Sequence, residues 1–456
     1  MKVRPMKKIL IILSAMLLLS VTTYAMDHSE VIEGPFKDAT EVTKTCLECH
    51  EDQAMDLMKT PHWTWQRKQV IDGKEISIGK INVMNNFCTS TASNRVHCSE
   101  CHAGYGWATE EFDFTDKTRV DCLVCHDTTG TYHKDGDNAG WPTEHVKLEE
   151  VAKNVGLPVR QNCTTCHAMG GGGNNAKHGD IGLVLDYPDR SVDIHMDADG
   201  NDFQCQNCHE TEDHYISGAN MMSSPDGFKA ITCEQCHDAD PHEQSRLNEH
   251  AKRVACQTCH IPIYAKEDPT QMDWDWSTAG HDEAPNPDKI DGKIVRYAKS
   301  TGTQTWKTDQ VPTYAWFNGK AGIYLIGEKI DPKKVTKMAW PLGDINDKTA
   351  KIHPFKLHTG KQIYDTKNNY FITNHIYGDD GFWTTADWQR SAKIGMETSG
   401  LAYSGEFGFA PTEMYWRLDH MVAPKEDALK CLDCHGDDGR MDWKALGYKG
   451  DPMDGK

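Results

Sequence analysis

Eight times along the chain two cysteines three residues apart are followed directly by a histidine. The sets are Cys46, Cys49 and His50; Cys98, Cys101 and His102; Cys122, Cys125 and His126; Cys163, Cys166 and His167; Cys205, Cys208 and His209; Cys233, Cys236 and His237; Cys256, Cys259 and His260; and Cys431, Cys434 and His435. Two thiols one helical turn apart can add to the two vinyl groups of a haem, and the adjacent histidine then serves as an axial ligand to the iron. A structural zinc site pairs Cys-x-x-Cys with further cysteines or with histidines several residues apart, and has no need of a histidine at this one position. A redox dithiol of the thioredoxin kind occurs once, near a strand–helix unit. Eight repeats using sixteen of the 17 cysteines imply eight covalently bound haem c groups.

Haem attachment to thiols implies export, and the first residues read as an export signal. Lys2, Arg4, Lys7 and Lys8 precede an apolar run from Ile9 to Leu19, and Thr23-Tyr24-Ala25 has the small-residue character of a cleavage site. The run is shorter than the ~18 apolar residues that span a bilayer, and no other stretch approaches that length. The expectation is a cleaved signal peptide over 1–25 and a periplasmic protein that is not integral to the membrane. The net charge of −19 disfavours nucleic acid and anionic membranes as partners. It also works against long-range attraction of anions, so a site that reduces an anion needs a local positive patch.

The elements that must hold these motifs are short. Motif starts are separated by 52, 24, 41, 42, 28, 23 and 175 residues, so 26–260 carries seven motifs with little room for sheet. Gly-, Asn-, Asp- and Thr-rich segments between them, such as Gly170–Asn175, predict loops and short helices. Residues 261–456 hold the eighth motif and a Trp-rich stretch with Trp274, Trp276, Trp306, Trp316, Trp340, Trp383, Trp388 and Trp416, read as packing residues of a wrapping region. There Gly322–Gly327 reads as strand, and helices are expected near Thr412–Met421 and Lys425–Leu432, parted by Pro424. The expected fold is mainly α and irregular, a multihaem cytochrome c fold wrapped around eight haems, with little β-sheet. Only 38% of residues are hydrophobic, lean for a chain of this length, and porphyrins would supply the missing apolar surface.

Fifteen histidines lie outside the motifs, enough for a second ligand at nearly every iron. His62, His178, His195, His214, His242, His250 and His420 are the candidates; His145, His353, His358 and His375 are less well placed, and His28, beside the expected mature terminus, is read as binding nothing. Cys88 belongs to no motif: it is either a small buried apolar residue or a thiol with a use. Lys177 follows a glycine-rich loop and is either a solvated lysine or, with a lowered pKa, an amine able to ligate iron and leave the opposite face to a substrate.

The chain closely resembles the octahaem tetrathionate reductase family over essentially the whole mature sequence. The likeness is carried by His62-Trp63-Thr64-Trp65, Asn85-Asn86-Phe87-Cys88, Cys98 through Trp107, Asp121 through Tyr132, Gly170–Gly173 with Lys177-His178-Gly179-Asp180, Val254 through His260, and His420 through His435. The resemblance implies that the haem of Cys98, Cys101 and His102 is catalytic, that Lys177 ligates its iron, and that Asn85 and Cys88 belong to the site. That family carries an aspartate three residues before the lysine; Asn174 stands there in this chain, which removes a carboxylate and bears on substrate preference.

The implied activity is a terminal reductase of tetrathionate, nitrite or hydroxylamine. Its substrate would be a small inorganic sulfur or nitrogen species, and its electrons would come from a membrane quinol-oxidising cytochrome or a soluble donor. Cys88 would engage sulfur substrates by thiol exchange, and Asn85 or Asn174 would donate hydrogen bonds to an oxyanion. The rival reading is a non-catalytic electron carrier, with histidine on both faces of every iron and Cys88 and Lys177 incidental. Oxidation of hydroxylamine is a third; the enzymes that perform it use a crosslinking tyrosine, and none is identifiable here.

Overall fold

A computed structural model of the chain describes residues 27–71, 74–219, 221 and 230–455. The signal-peptide expectation for 1–25 lies outside the described residues. Among them no helix is long and apolar enough to cross a membrane.

The motif-bearing part is built from short helical turns. The longest helix, α2 (Ala39–Leu57), follows the single turn α1 (His28–Val31) and starts at Asp38, whose side chain accepts from the Glu41 amide. His50 interrupts α2 with φ −119° and ψ 34°, which turns its ring off the helix face. Other motifs occupy one or two turns, as in Arg160–His167, Cys256–His260 and Cys431–Cys434. Two hairpins lie in this part, β1 (Arg67–Ile71) with β2 (Lys74–Ile78), and β3 (Thr211–Glu212) with β4 (Tyr215–Ile216).

The expectation of little sheet is corrected by residues 270–417, which form one nine-stranded sheet. Its strands are β5 (Thr270–Asp275), β6 (Val295–Ala298), β7 (Gly302–Lys307), β8 (Thr313–Phe317), β9 (Ala321–Ile323), β10 (Thr336–Pro341), β11 (Lys351–Asp365), β12 (Tyr370–Phe371) and β13 (Phe407–Arg417). The path runs β6-β7-β5-β11-β13-β10-β9, with β8 and β12 also paired to β11. The helix expected over Thr412–Met421 is in fact the end of β13, where Ala410, Thr412, Met414 and Trp416 point inward at every second position. That two-residue period, in a segment that contains Thr, Tyr and Trp, selects a strand. Residues 425–430 form a turn and irregular backbone, and helix begins only at Cys431. The strand reading at Gly322–Gly327 matches β9 in its first residues.

The largest apolar cluster lies against this sheet. It joins Val83, Met84 and Phe87 to Trp274, Trp276, Phe382, Met414 and Trp416, with Cys88 packed on its side. The tryptophans are packing residues: Trp274 and Trp276 stack at 4.5 Å, and the Trp276 indole N–H donates to the Phe87 carbonyl at 2.8 Å. The sheet thereby fixes the Asn85–Cys88 loop.

Candidate functional site

Seven motif histidines face a second imidazole at nearly one distance. Ring centres are 6.1 Å apart for His50 and His28, 6.3 Å for His126 and His214, 6.2 Å for His167 and His62, and 6.2 Å for His209 and His420. They are 6.1 Å apart for His237 and His195, 6.2 Å for His260 and His242, and 6.3 Å for His435 and His250. Rings this far apart do not touch. An iron held between two axial nitrogens, each about 2 Å away, puts imidazole centres about 6 Å apart, so the donor sets fit haem.

The outer nitrogens support that fit. The Nδ1 of His126, His209 and His250 lies 2.8, 2.9 and 2.8 Å from the carbonyls of Gly156, Ser217 and Arg246. His435 Nδ1 is 2.6 Å from Asp451 Oδ1, and His420 Nδ1 is 3.2 Å from Asp180 Oδ2. Each bond fixes the ring and leaves Nε2 free for a metal. Burial holds His62, His209, His214 and His260 below the usual histidine range and pushes His167 down to about 3, so these rings are neutral, as metal ligation requires. Around the last pair a cavity of about 610 Å³ is lined by His250, Cys259, Cys434, His435 and Trp443.

Cysteines of different motifs also meet. The thiols of Cys46 and Cys122, Cys101 and Cys166, Cys163 and Cys205, and Cys233 and Cys256 are close enough to interact. Cys125 and Cys163, Cys208 and Cys236, and Cys259 and Cys434 are close enough to act on each other electrostatically. The motifs therefore form a row in the order first, third, fourth, fifth, sixth, seventh, eighth, and the second branches from the fourth.

The second motif is different. His102 is fully buried in an aromatic cage of Trp63, Trp65, Trp107, Phe112 and Phe114. Its Nε2 donates to the Trp63 carbonyl at 2.5 Å, so the nitrogen that would bind iron is already used. The expectation that His102 is a metal ligand is corrected on that ground. No second histidine ring stands across from it among the described residues.

What the second motif has instead is Lys177. Its Nζ lies 4.9 Å from the Trp416 ring centre and has no hydrogen-bond or carboxylate partner among the described residues. Burial, followed by the charge of Lys80, pushes its pKa down to about 7, so an uncharged amine with a free lone pair is accessible. Two loops create this position. Gly171 has φ +85°, and a Cβ there would meet the Lys177 Cβ at 3.1 Å and the Phe87 ring at 3.4 Å, so only glycine lets the loop close on the lysine. Strand β11 holds both loops. Lys356 donates to the carbonyls of Ala176 and Lys177, the Asn86 amide donates to the His358 carbonyl at 3.0 Å, and Gln362 donates to the Asn85 carbonyl at 2.7 Å.

The remaining predicted residues divide. Cys88 is near Lys177, Lys80 and Cys98, and burial pushes its thiol up against the pull of the two lysines. Asn85 uses its side chain within the loop, accepting from the amides of Phe87 and Cys88 at 2.9 and 3.1 Å and donating to the Thr89 carbonyl at 2.8 Å. Asn174 is likewise engaged: Nδ2 donates to Asp268 Oδ2 at 2.8 Å and Oδ1 accepts from the Leu183 amide at 2.7 Å. Both asparagines hold loops, which corrects the view of Asn174 as a donor free for substrate; a carboxylate, Asp268, stands beside the position that lacks one.

His178 is corrected as a metal ligand, because its ring packs edge-on against Trp416 at 5.1 Å and faces no motif histidine among the described residues. His28 is corrected the other way, since it faces His50. Of the less well placed group, His353 lies 3.5 Å from Asp419, His358 stacks on Phe87 at 4.0 Å, His375 is 2.7 Å from the Ser93 carbonyl and His145 is exposed. Sequence reasoning missed His28, Lys80 and Lys356. For His28 the count of unpartnered motifs was the available signal; Lys80 and Lys356 had none beyond their charge.

Comparison with known proteins follows the same lines. The family described as bacterial cytochrome c matches residues 271–438. An uncharacterised protein of Archaeoglobus fulgidus is 25% identical over 249 residues, 44% of this chain and 82% of that protein. The crystal structure of an octahaem cytochrome c from Shewanella oneidensis is 54% identical, covers 94% of this chain and 98% of its own, and superposes with a TM-score of 0.89.

Proposed function

Because the chain belongs to the octahaem cytochromes c, we propose that it is a periplasmic reductase that carries eight covalently attached haems and reduces tetrathionate, nitrite or hydroxylamine at its second motif. When bound, the haems supply one-electron storage and transfer along the row of motifs and a metal face at which a substrate is reduced. The observation that carries the reading is the contrast between motifs: seven histidines face a second ring, whereas His102 is turned to the Trp63 carbonyl and a buried Lys177, without a hydrogen-bond or carboxylate partner among the described residues, lies near Cys101 and Cys88.

The residues divide the work accordingly. The paired histidines would hold seven of the haems, and with two strong ligands each these would suit electron transfer alone. Lys177 would supply an amine ligand to the second haem, and Trp416 and Phe87 pack around its chain. Electrons would enter at one of the bis-histidine motifs, from a quinol-oxidising membrane cytochrome or a soluble donor. Tetrathionate takes two electrons, and its central sulfur–sulfur bond breaks to give two thiosulfates. Nitrite takes six electrons and eight protons and leaves as ammonium and two waters; hydroxylamine takes two electrons and three protons and leaves as ammonium and one water.

The test uses the haem-loaded protein with reduced methyl viologen as donor and offers the three substrates separately. Saturable viologen oxidation with at least one is expected, together with its loss in Lys177→Ala at unchanged haem content. Absence of turnover on all three, with eight haems by pigment assay, would replace the reductase by an electron carrier. Full activity in Lys177→Ala would remove the lysine from the site.

A further inference from the structure

The chain carries a formal charge of −19, and the substrates proposed above include two anions. A field of that sign repels nitrite and tetrathionate, so binding needs positive charge close to the reacting face. Lys177 does not provide it as a ligand, because an amine bound to iron is uncharged. Two other lysines act on this site, Lys134, which is paired with Asp121 at 3.1 Å, and Lys80. Lys80 is half-buried, and its Nζ sits 4.5 Å from the Trp65 ring centre, with Trp65 in turn against His102 and Trp107 at 5.4 and 5.0 Å.

Backbone geometry holds it there. Lys80 is the second residue after β2, and a Cβ on the intervening Gly79 would lie 2.0 Å from the Trp65 carbonyl oxygen, so the chain crosses Trp65 at backbone contact before presenting the lysine. From this place its charge acts on Lys177, Cys88, Cys98 and Cys101 together, the residues that surround the second motif. No carboxylate pairs with Lys80 among the described salt bridges, in a chain where 68 acidic residues face 49 basic ones. A cation kept without a counter-charge in a half-buried, aromatic setting is a site for an anion.

We propose that Lys80 is the substrate-binding cation of the second motif, selecting small oxyanions by charge, while neutral hydroxylamine enters without its help. This rests on the reductase reading above. The alternative for Lys80 is packing against Trp65, which predicts no dependence on substrate charge.

The experiment compares Lys80→Ala, Lys80→Gln and Lys80→Arg with the parent, each haem-loaded, for KM and kcat on nitrite, tetrathionate and hydroxylamine. Nitrite is also titrated into the oxidised protein without donor, and binding is read from the haem spectrum. In Ala and Gln the KM for both anions should rise roughly tenfold, the worth of one charge contact at intermediate screening. The KM for hydroxylamine should move far less, nitrite binding to the oxidised protein should weaken in parallel, and Arg should restore most of the loss. Equal changes for anionic and neutral substrates, or none for the anions, would overturn the assignment. A parent that turns over nothing would sink the reductase reading separately, and the nitrite titration would still decide whether Lys80 binds an anion.

Discussion

Lys356 Nζ lies 3.0 Å from the carbonyl oxygen of Lys177, and it also donates to the Ala176 carbonyl and the Thr270 hydroxyl, each at 2.6 Å. Lys356 is on β11 and fully buried, so the sheet grips the very residue whose side chain reaches the second motif. Lys356→Met keeps the length and apolar stem but leaves the Lys177 carbonyl without a donor and the Ala176 carbonyl with the Thr270 hydroxyl alone, at 3.3 Å, at a cost of about 1–3 kcal/mol. The expected result is a lower thermal midpoint and a shifted spectrum for the second haem, with the spectra of the other haems unchanged. An unaltered second-haem spectrum would show that the Lys177 loop holds its place without the sheet.

Cys88 is the one cysteine left free once sixteen are thioethers, so alkylation reads it alone. Burial pushes its thiol up, with Lys80 and Lys177 only partly opposing. A raised pKa means that thiolate, the reactive form, appears only above the usual thiol range. Iodoacetamide should therefore label the unfolded holoprotein at neutral pH and leave the native one nearly unlabelled, with native labelling rising steeply in alkali. Rapid native labelling at neutral pH, followed by mass spectrometry, would instead mark a thiolate poised for exchange with sulfur substrates.

Asn174 bridges Asp268 and the Leu183 amide. Asn174→Asp keeps the acceptor for Leu183 but sets a second carboxylate at hydrogen-bond distance from Asp268. Two such groups cannot both ionise without penalty, and one is raised in the folded state. A raised folded pKa makes protonation favour the fold, so the loss of stability is greatest at neutral pH and shrinks as pH falls through the carboxylate range. Thermal unfolding at a series of pH values checks this, and an equal loss at every pH would contradict it.

The haem-binding chemistry was legible because it is local: two thiols and a histidine lie within five residues and need no knowledge of the fold. Lys177 was legible through resemblance and a glycine-rich approach, and Gly171 shows why the glycines are required there. The sheet was misread for a definite reason. Residues 407–417 mix Pro, Glu, Thr and aromatic residues, and their inward positions Ala410, Thr412, Met414 and Trp416 are recognisable as a strand only once β11 pairs with them over its length. Partner histidines were legible as a population, because supply matched demand, but not as pairs. His62 meets His167 across 105 residues of sequence, a distance over which no local pattern speaks. His102 escaped for the opposite reason: its motif is intact, and only the fold shows Nε2 turned to Trp63.

The sharpest disagreement between sequence and structure is also directly testable. His28, read from sequence as binding nothing, stands 6.1 Å from His50, whereas His178, read as a ligand, packs on Trp416. His28 is held by α1, whose Asp27 cap accepts from the Ser29 amide at 2.9 Å, and the break in α2 at His50 turns the partner ring toward it. If His28 and His50 hold the first haem between them, removing His28 would take away one of its two strong-field ligands and favour a high-spin iron. His28→Ala should therefore add one high-spin ferric EPR signal beyond the parent's and leave the haem count at eight. His178→Ala should add none, because no iron loses a ligand. If the two variants exchange these outcomes, the pairing of His28 with His50 is wrong and His178 belongs among the ligands.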